Sequence, residues 1–276
     1  MKSWIVALCL NTCFCFSACA EETVRITAGA DPYVIELLNH AFSYQNESHT
    51  LDFVNNIPTQ NRAIRLLGDK GGIDVFWSVT SDEREKQALA IRIPIVKGVL
   101  GYRLGVVKKS RVDYFSKLKN DGELRGLRFG LRTDWPDTVI FRDNDFNVLE
   151  YSQENAGYEL LEASRIDVLP IDALFADHVE SMSDLAIDPA HVFYYPSAVY
   201  FFVNKNNKAL YQKLKSGLDN AIADGSFDTL FNRHFADELA KLALDKRQKI
   251  TLVNTLLPAS APIHTKKYWY NNNQGK

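Results

Sequence analysis

Asp74-Val75-Phe76-Trp77-Ser78-Val79-Thr80-Ser81-Asp82-Glu83-Arg84 joins an apolar strand to a row of hydroxyl groups and one arginine. The β-branched and aromatic residues predict a short buried strand, and Gly71-Gly72 interrupts the chain just before it. After this strand, Ser78 and Thr80 supply hydroxyl donors, and Arg84 supplies a planar fork that matches a carboxylate. Because ligands of open α/β sheets bind beyond the carboxyl ends of the strands, we interpret the stretch as half of a ligand cradle.

A second interpretation of the same stretch is that Ser81 caps a surface helix whose arginine faces water. The spacing of residues 81–84 fits both interpretations. The choice therefore stays open at this point.

The first twenty residues have the pattern of a secretory signal peptide. Lys2 precedes an apolar run from Trp4 to Phe16, and the small-residue site Ala18-Cys19-Ala20 follows it. The run is shorter than the ~20 apolar residues that cross a membrane. We therefore expect an exported, periplasmic protein that begins at residue 21. The alternative is a lipid anchor on Cys19, for which Phe16 is a poor match.

Composition excludes several classes of function. All four cysteines lie in the signal segment, so the mature chain has no disulfide, cysteine metal site or cysteine nucleophile. The six histidines lack HExxH or other paired metal spacing, and no GxSxG, Walker A or GxGxxG string occurs. The net charge is −2 and no basic run exceeds two residues, which argues against nucleic acid. We expect no metal, no cofactor and no catalytic residue.

Short apolar strands alternate with amphipathic helices, which is typical of a parallel α/β architecture. The predicted strands are Thr23–Ala28, Leu51–Val54, Ile73–Ser78, Leu127–Leu131, Asn147–Tyr151 and Ile166–Leu169.

Two longer β-rich runs, Val99–Val107 and Val199–Asn204, are interpreted as crossovers between two lobes. The expected fold is α/β and two-lobed, with two hinge crossovers and a ligand cleft between the lobes. Residues 21–106 and 198–250 form the first lobe, 107–197 the second, and 251–276 a C-terminal tail. We expect the end, from Pro258 onward, to be frayed. Whether the tail after Ile250 packs on the first lobe stays open.

Four blocks carry a resemblance to a known family: Asp74–Lys86, Leu124–Thr138, Arg165–Asp172 and Ala221–Phe227. They resemble the extracellular solute-binding proteins of bacterial ABC transporters, of the polar amino-acid type, as a divergent branch. The blocks occur in the family's order and span most of the mature chain. The resemblance implies the type 2 periplasmic-binding fold, in which two α/β lobes joined by two strands close on a small ligand.

The resemblance also implies roles for individual residues. In the first lobe it places the carboxylate-binding arginine at Arg84 and the hydroxyl and backbone donors at Ser78 and Thr80. In the second lobe it places a carboxylate-binding loop at Thr133, Asp134 and Trp135.

A helix that begins near Pro136 would aim free N–H groups at such an anion, although Asp134 and Asp137 at the same helix start oppose one. The family's acidic partner for an α-amino group corresponds to Asp172. The alternative for Asp172 is a helix N-cap before Ala173.

The chain departs from the family where side-chain selectivity is set, because the usual first-lobe segment is shortened to Asp31-Pro32-Tyr33. Buried core is the alternative for each aromatic candidate. The candidates for the pocket lining are Tyr33, Trp77, Tyr102, Trp135, Arg103, Gln60 and Arg62.

The function that we expect is capture of a small polar ligand, by default an amino acid or similar carboxylate, through hinge closure for ABC-type uptake. We expect a monomer that works with a membrane permease. One alternative is a periplasmic sensor that signals to a membrane receptor. Another is a dehydratase-like enzyme on the same fold, with Asp134, Asp137 or Asp172 as the acid.

Overall fold

The computed structural model describes residues 22–55, 59–133, 135–153 and 156–270. The predicted signal peptide, Asp134 and the last six residues lie outside these ranges. Strands and helices alternate through most of the described chain, as predicted.

The first elements alternate regularly up to a long strand. They are β1 (Glu22–Thr27), α1 (Pro32–Phe42), β2 (His49–Val54), α2 (Gln60–Arg65), β3 (Val75–Val79), α3 (Asp82–Gln87), β4 (Leu89–Ile91) and β5 (Tyr102–Lys108).

The middle elements are shorter on average and contain the predicted second lobe. They are α4 (Val112–Phe115), α5 (Asp121–Arg125), β6 (Arg128–Arg132), α6 (Pro136–Asp143), β7 (Asn147–Tyr151), α7 (Ala156–Glu162), β8 (Leu169–Asp172), β9 (Leu185–Ile187) and β10 (His191–Tyr194).

Two long helices dominate the last part of the chain. The elements are β11 (Val199–Val203), α8 (Lys208–Ala223), α9 (Ser226–Leu242) and β12 (Gln248–Thr251).

The described strands form four sheets. β1 pairs with β2 and β6 pairs with β7, both in parallel. β11 lies between β3 and β4 and is antiparallel to both. The largest sheet has the order β12-β10-β5-β8, and β9 also pairs with β5.

β5 and β10 are antiparallel neighbours at Arg103 and Phe193, and we expect them to connect the two predicted lobes. The prediction that Val199–Asn204 is a crossover is wrong. This run forms β11, whose five residues are all buried between two partner strands, and a continuous apolar sequence is typical of such a strand. We expect the return to pass through β10 and residues 195–198 instead. The lobe boundaries remain a prediction.

The strand predicted at Ile166–Leu169 begins later, because Ile166 belongs to the core and Val168 makes only an isolated bridge to Phe129. β8 runs from Leu169 to Asp172. This shift places Asp172 inside the sheet, directly opposite Arg103 on β5.

The buried side chains of α8 recur at helical spacing, at Leu210, Leu214, Leu218 and Ala221, and pack against α1. Gly217 makes this contact possible, because a Cβ there would lie 2.0 Å from the carbonyl oxygen of Ala41. Close approach of the two helices buries side chains from both in one core with β11 and α9.

The C-terminal tail packs over the molecule up to Tyr270, so the expectation of a frayed end is wrong for residues 258–270. The Tyr270 amide donates to the Lys97 carbonyl at 2.7 Å, and the Trp269 ring lies over Gly98. Trp269 also packs against a core cluster that contains Phe76. Apolar and aromatic residues in the tail supply the surface that holds it.

No helix in the described ranges is long and apolar enough to cross a lipid bilayer.

Candidate ligand-binding site

Arg84, Ser78 and Gln60 form a closed ring of hydrogen bonds at the carboxyl end of β3. Arg84 Nη1 donates to Ser78 Oγ at 2.6 Å, and Arg84 Nη2 donates to Gln60 Oε1 at 3.0 Å. The Ser78 hydroxyl donates to the same Gln60 oxygen at 2.8 Å. Two of the three side chains that the sequence placed in the cradle, Ser78 and Arg84, therefore lie together, and Gln60 joins them from α2.

The capping interpretation of residues 81–84 holds in part, and the cradle interpretation stays a prediction. Ser81 caps α3, because its hydroxyl oxygen accepts from the Arg84 amide at 3.3 Å. The Arg84 side chain nevertheless turns back toward β3, where it also donates to the Val79 carbonyl. Local capping and ligand binding are therefore compatible roles of the same turn.

Arg84 is partly buried and forms no ion pair within the described chain, where all its acceptors are neutral. Burial lowers the pKa of its guanidinium, although the nearby Glu83 opposes this shift. A desolvated cation held only by neutral groups retains an unused attraction for an anion. The end of β3 is thus electrostatically suited to a carboxylate.

Thr80 points to another partner. Its hydroxyl donates to Glu85 Oε1 at 2.7 Å, and its amide donates to the Ala198 carbonyl at 2.8 Å. Glu85 in turn pairs with Arg92. Both donors of Thr80 are therefore engaged within the protein, so a ligand could use them only after these bonds break.

A second polar cluster lies beside the β5–β8 pair. Arg103 on β5 donates through Nε and Nη2 to the two oxygens of Asp137, at the start of α6. The Tyr195 hydroxyl donates to the same carboxylate at 2.6 Å. Arg103 Nη1 lies 2.9 Å from Asp172 Oδ2, an ion pair without the angle of a hydrogen bond. One guanidinium therefore serves two carboxylates.

The two carboxylates of this cluster differ in electrostatic balance. For Asp137, burial favours the neutral acid, but the charge and hydrogen bonds of Arg103 overcome it and lower the pKa. For Asp172, burial raises the pKa and Arg103 offsets it only partly. Asp172 is thus the carboxylate with the weaker internal compensation.

Asp172 also acts as the N-cap that the sequence offered as the alternative. Its Oδ1 accepts from the Leu174 amide at 3.1 Å, at the start of a 3₁₀ turn over Ala173–Phe175. Capping uses Oδ1, and Oδ2 faces Arg103, so the capping role does not exclude a role in ligand binding.

The Arg84 and Arg103 clusters lie at opposite ends of the short segment 195–198. Thr80, beside the first cluster, binds the Ala198 carbonyl, and Tyr195 binds Asp137 in the second. Three residue steps span at most about 11 Å between these ends. The two clusters therefore flank residues 195–198, at the predicted boundary between the lobes.

Among the described residues, the predicted loop after β6 contacts the neighbouring strand β7 and Arg132. Thr133 is exposed, and its amide and hydroxyl both donate to the Tyr151 carbonyl, at 3.0 and 3.3 Å. The Trp135 side chain is 40% exposed and lies 5.7 Å from the Arg132 guanidinium. Asp134 falls outside the described residues. Within the described ranges, neither Thr133 nor Trp135 contacts Arg84, Ser78 or Asp172.

Two aromatic candidates for the lining are core residues, and those predictions are wrong. Tyr33 is 1% exposed, donates its hydroxyl to the Ile95 carbonyl and packs against α9. Tyr102 is 4% exposed and is covered by Tyr194 and Tyr270. Trp77 keeps partial exposure on β3 beside Phe76.

Sequence reasoning missed Tyr195 and Glu85, which fix Asp137 and Thr80 respectively. No local pattern marks Tyr195, which lies 58 residues from Asp137 in the chain, whereas Glu85 lies only five residues after Thr80 and is brought close by the turn into α3. Arg103 was a candidate for the lining only, and its pairing with Asp172 follows from the register of β5 with β8.

A cavity of about 500 Å³ lies elsewhere, along β7 and α7, and none of the residues predicted for the ligand site lines it. Within the described ranges, no group of three or more histidine, cysteine or acidic residues is arranged to hold a metal ion.

No family model matches the chain, and no curated protein matches it in sequence. Solved structures do match. The "probable amino-acid ABC transporter extracellular-binding protein" YtmK of Bacillus subtilis is 17% identical, covers 79% of this chain and 100% of its own, and gives a TM-score of 0.58. YckB of Bacillus subtilis is 17% identical, covers 84% and 96%, and gives a TM-score of 0.53.

A third structure comes from Streptococcus pneumoniae and is an amino acid ABC transporter substrate-binding protein bound to L-arginine. It is 12% identical, covers 77% of this chain and 92% of its own, and gives a TM-score of 0.51. At identities this low, the structural matches establish the fold alone. The chain has the two-lobed α/β fold of these solved structures, as predicted. YtmK and the Streptococcus pneumoniae protein are named as binding proteins rather than enzymes.

Proposed function

We propose that the mature protein is a periplasmic solute-binding protein that captures a small polar carboxylate, by default an amino acid, for ABC-type uptake. The observation that carries this proposal is Arg84, a partly buried cation with only neutral acceptors in the described chain, at the carboxyl end of β3. A solved neighbour with the same fold is bound to L-arginine, which supports the amino-acid default.

In the proposed mechanism, the ligand first binds the predicted first lobe through Arg84 and Ser78. Thr80 joins only if its hydroxyl leaves Glu85. The second lobe then rotates over the ligand about β5 and β10, and Asp172 receives the α-amino group. Closure is favoured by the extra contacts that the ligand makes in the closed state.

The charges around Arg103 support this assignment of Asp172. Arg103 makes well-aligned bonds to Asp137 and an oblique ion pair to Asp172, so two carboxylates share one positive charge. An ammonium group from the ligand would supply the second positive charge.

We further propose that residues 1–20 direct export and are removed, and that the mature protein acts as a monomer with a membrane permease. Capture and delivery need only one cleft per chain, and the fold supplies it.

The test is calorimetric titration and thermal shift of the mature protein against amino acids, small peptides, dicarboxylates, polyamines and sugars. A ligand at a hundred times its dissociation constant stabilises by ~2.7 kcal/mol, which raises the melting temperature by roughly 5 to 10 °C for a chain of this size.

Arg84→Ala is measured beside the wild-type protein. Loss of a buried, charged hydrogen-bond partner costs roughly 2 to 5 kcal/mol, so binding weakens about thirtyfold or more. Arg233→Ala is the matched control, because Arg233 lies on α9 in an exposed pair with Glu36. Equal binding by Arg84→Ala and wild type would refute the proposed anchor.

A further inference from the structure

The orientation of the Gln60 amide follows from the chemistry of its partners. Arginine only donates hydrogen bonds, so the atom that lies 3.0 Å from Arg84 Nη2 is the Gln60 carbonyl oxygen. Ser78 Oγ accepts from Arg84 Nη1, and its one hydrogen goes to the same Gln60 oxygen at 2.8 Å. A single neutral oxygen thus receives a hydrogen from both groups proposed to hold the ligand.

The donors of this ring are fixed, whereas Gln60 is not. Ser78 is 4% exposed in β3, and Arg84 is held by the Val79 carbonyl and by the Ser81 cap. Gln60 is exposed at the first position of α2, a helix of six residues. Its side chain makes no other hydrogen bond in the described ranges, so it can rotate outward without breaking a second contact.

We propose that Gln60 is an internal substitute for the ligand's carboxylate, which occupies Ser78 and Arg84 in the free protein and is displaced on binding. This inference rests on the proposed function of Arg84 as the anion anchor. Gln60 satisfies the donors without neutralising the cation.

The substitute also favours anions over neutral ligands. When a ligand amide or hydroxyl displaces Gln60, Arg84 and Ser78 exchange one neutral acceptor for another. The gain in binding free energy is small, because the hydrogen bonds lost and formed are alike. A carboxylate forms charge-assisted bonds to the same donors, which are roughly twice as strong. Competition from Gln60 therefore prevents neutral ligands from binding at these donors, whereas carboxylates displace it.

The first test compares Gln60→Ala with wild type by calorimetric titration of L-arginine, L-glutamine and glutarate. Removing the competing oxygen strengthens Arg84-dependent binding about three- to tenfold, where tenfold corresponds to ~1.4 kcal/mol. Asn61→Ala is the matched control, because Asn61 is the next exposed residue of α2. Weaker binding by Gln60→Ala would overturn the inference and make Gln60 a ligand contact, while leaving the proposed function intact.

The second test needs no ligand. Gln60→Glu places a carboxylate beside the unneutralised Arg84, so the melting temperature at pH 7 rises by a few degrees, and this gain is absent in the Arg84→Ala background. A paired glutamate has a lowered pKa in the folded state, so the gain is present above about pH 4.3 and is lost as the pH falls through that folded pKa.

The outcomes of the two tests are separable. Gln60→Glu also abolishes binding of any probe that depends on Arg84. An equal effect of Gln60→Glu in both backgrounds would show that residue 60 does not face the guanidinium, and would overturn the inference. If none of the three probes binds wild type, that result counts against the amino-acid default, and the Gln60→Glu comparison still decides the inference.

Discussion

Asp172 is the residue whose role depends on whether the ligand has an amino group. It shares the Arg103 guanidinium with Asp137, and Arg103 is aligned to Asp137 rather than to Asp172. Burial raises the pKa of Asp172, with Arg103 opposing the shift. A carboxylate whose folded pKa is raised destabilises the ligand-free protein at neutral pH, and it binds a cation to compensate.

Asp172→Asn should therefore have opposite effects on stability and on binding. The ligand-free variant should melt at a higher temperature than wild type at pH 7. It should bind ligands with an α-amino group roughly ten- to a hundredfold more weakly, the loss of a charged hydrogen bond of about 1.5 to 3 kcal/mol. Titration with each amino acid that binds, and with its analogue lacking the α-amino group, checks this. Equal losses for both compounds would refute the role of Asp172.

Asp167 gives a pH prediction that does not depend on a ligand. Burial opposes its ionisation, but hydrogen bonds from Arg128 and Arg111 lower its pKa to about 2. Because this folded pKa lies below the unfolded one, the stabilisation is present above about pH 4 and is lost as the pH falls toward 2. Denaturant titrations from pH 6 to pH 2 should show a shallower loss of stability for Asp167→Asn. An unchanged slope would contradict the assignment.

Sequence could predict Ser78 and Arg84 together because a strand end and a capped helix bring them close within six residues. It could not predict Gln60 in the same ring, since that contact depends on where α2 packs. The prediction that Tyr33 and Tyr102 line the pocket failed for the same reason. Their burial comes from α9 and Tyr270, more than 150 residues away in the chain.

Among the elements, β11 and the tail differ most from what the sequence predicted. An apolar run such as Val199–Val203 fits a hinge strand or a central strand, and only its two partner strands decide between them. The tail looked polar at its end, yet Trp269 and Tyr270 anchor it to Lys97 and Gly98. The order of motifs along the chain therefore predicts the fold. It does not predict the packing partners of a single element.

Gly98→Ala tests how the tail is held. Gly98 has a φ of +72°, and a Cβ there would lie 2.4 Å from the Trp269 ring, so the side chain adds a clash to the backbone strain. Gly71→Ala is the control, because Gly71 has a φ of +80° and no atom within 4 Å of the added Cβ.

Gly71→Ala should cost about 1 to 2 kcal/mol of unfolding free energy from backbone strain. Gly98→Ala should cost about 1 to 3 kcal/mol more from overpacking and should alter tryptophan fluorescence. Chemical denaturation of both variants measures the difference. Equal costs would mean that Trp269 moves aside freely and that the tail is loosely held.

At the scale of the whole molecule, the tail spans both predicted lobes. Near its start, Val253 exchanges two hydrogen bonds with the Asn144 side chain just after α6, each 2.8 Å long. Between them, Asn254 donates to the Pro196 carbonyl in the connection between the halves. At its far end, Tyr270 binds the Lys97 carbonyl. We expect a segment fixed at both ends in this way to restrain rotation of one predicted lobe against the other.

Asn144→Ala removes the attachment of the tail to α6 and should loosen this restraint. We expect faster amide hydrogen exchange in residues 195–198 of the ligand-free protein and a larger decrease in radius of gyration when a ligand binds, measured by small-angle X-ray scattering. Asn120→Ala is the control, because Asn120 caps α5 and has no bond to the tail among the described residues. If both variants exchange at the wild-type rate, the tail stabilises the surface without restraining the hinge. Faster exchange in Asn144→Ala alone would make the tail a determinant of how readily the lobes close, because local opening reports the free energy that holds the segment.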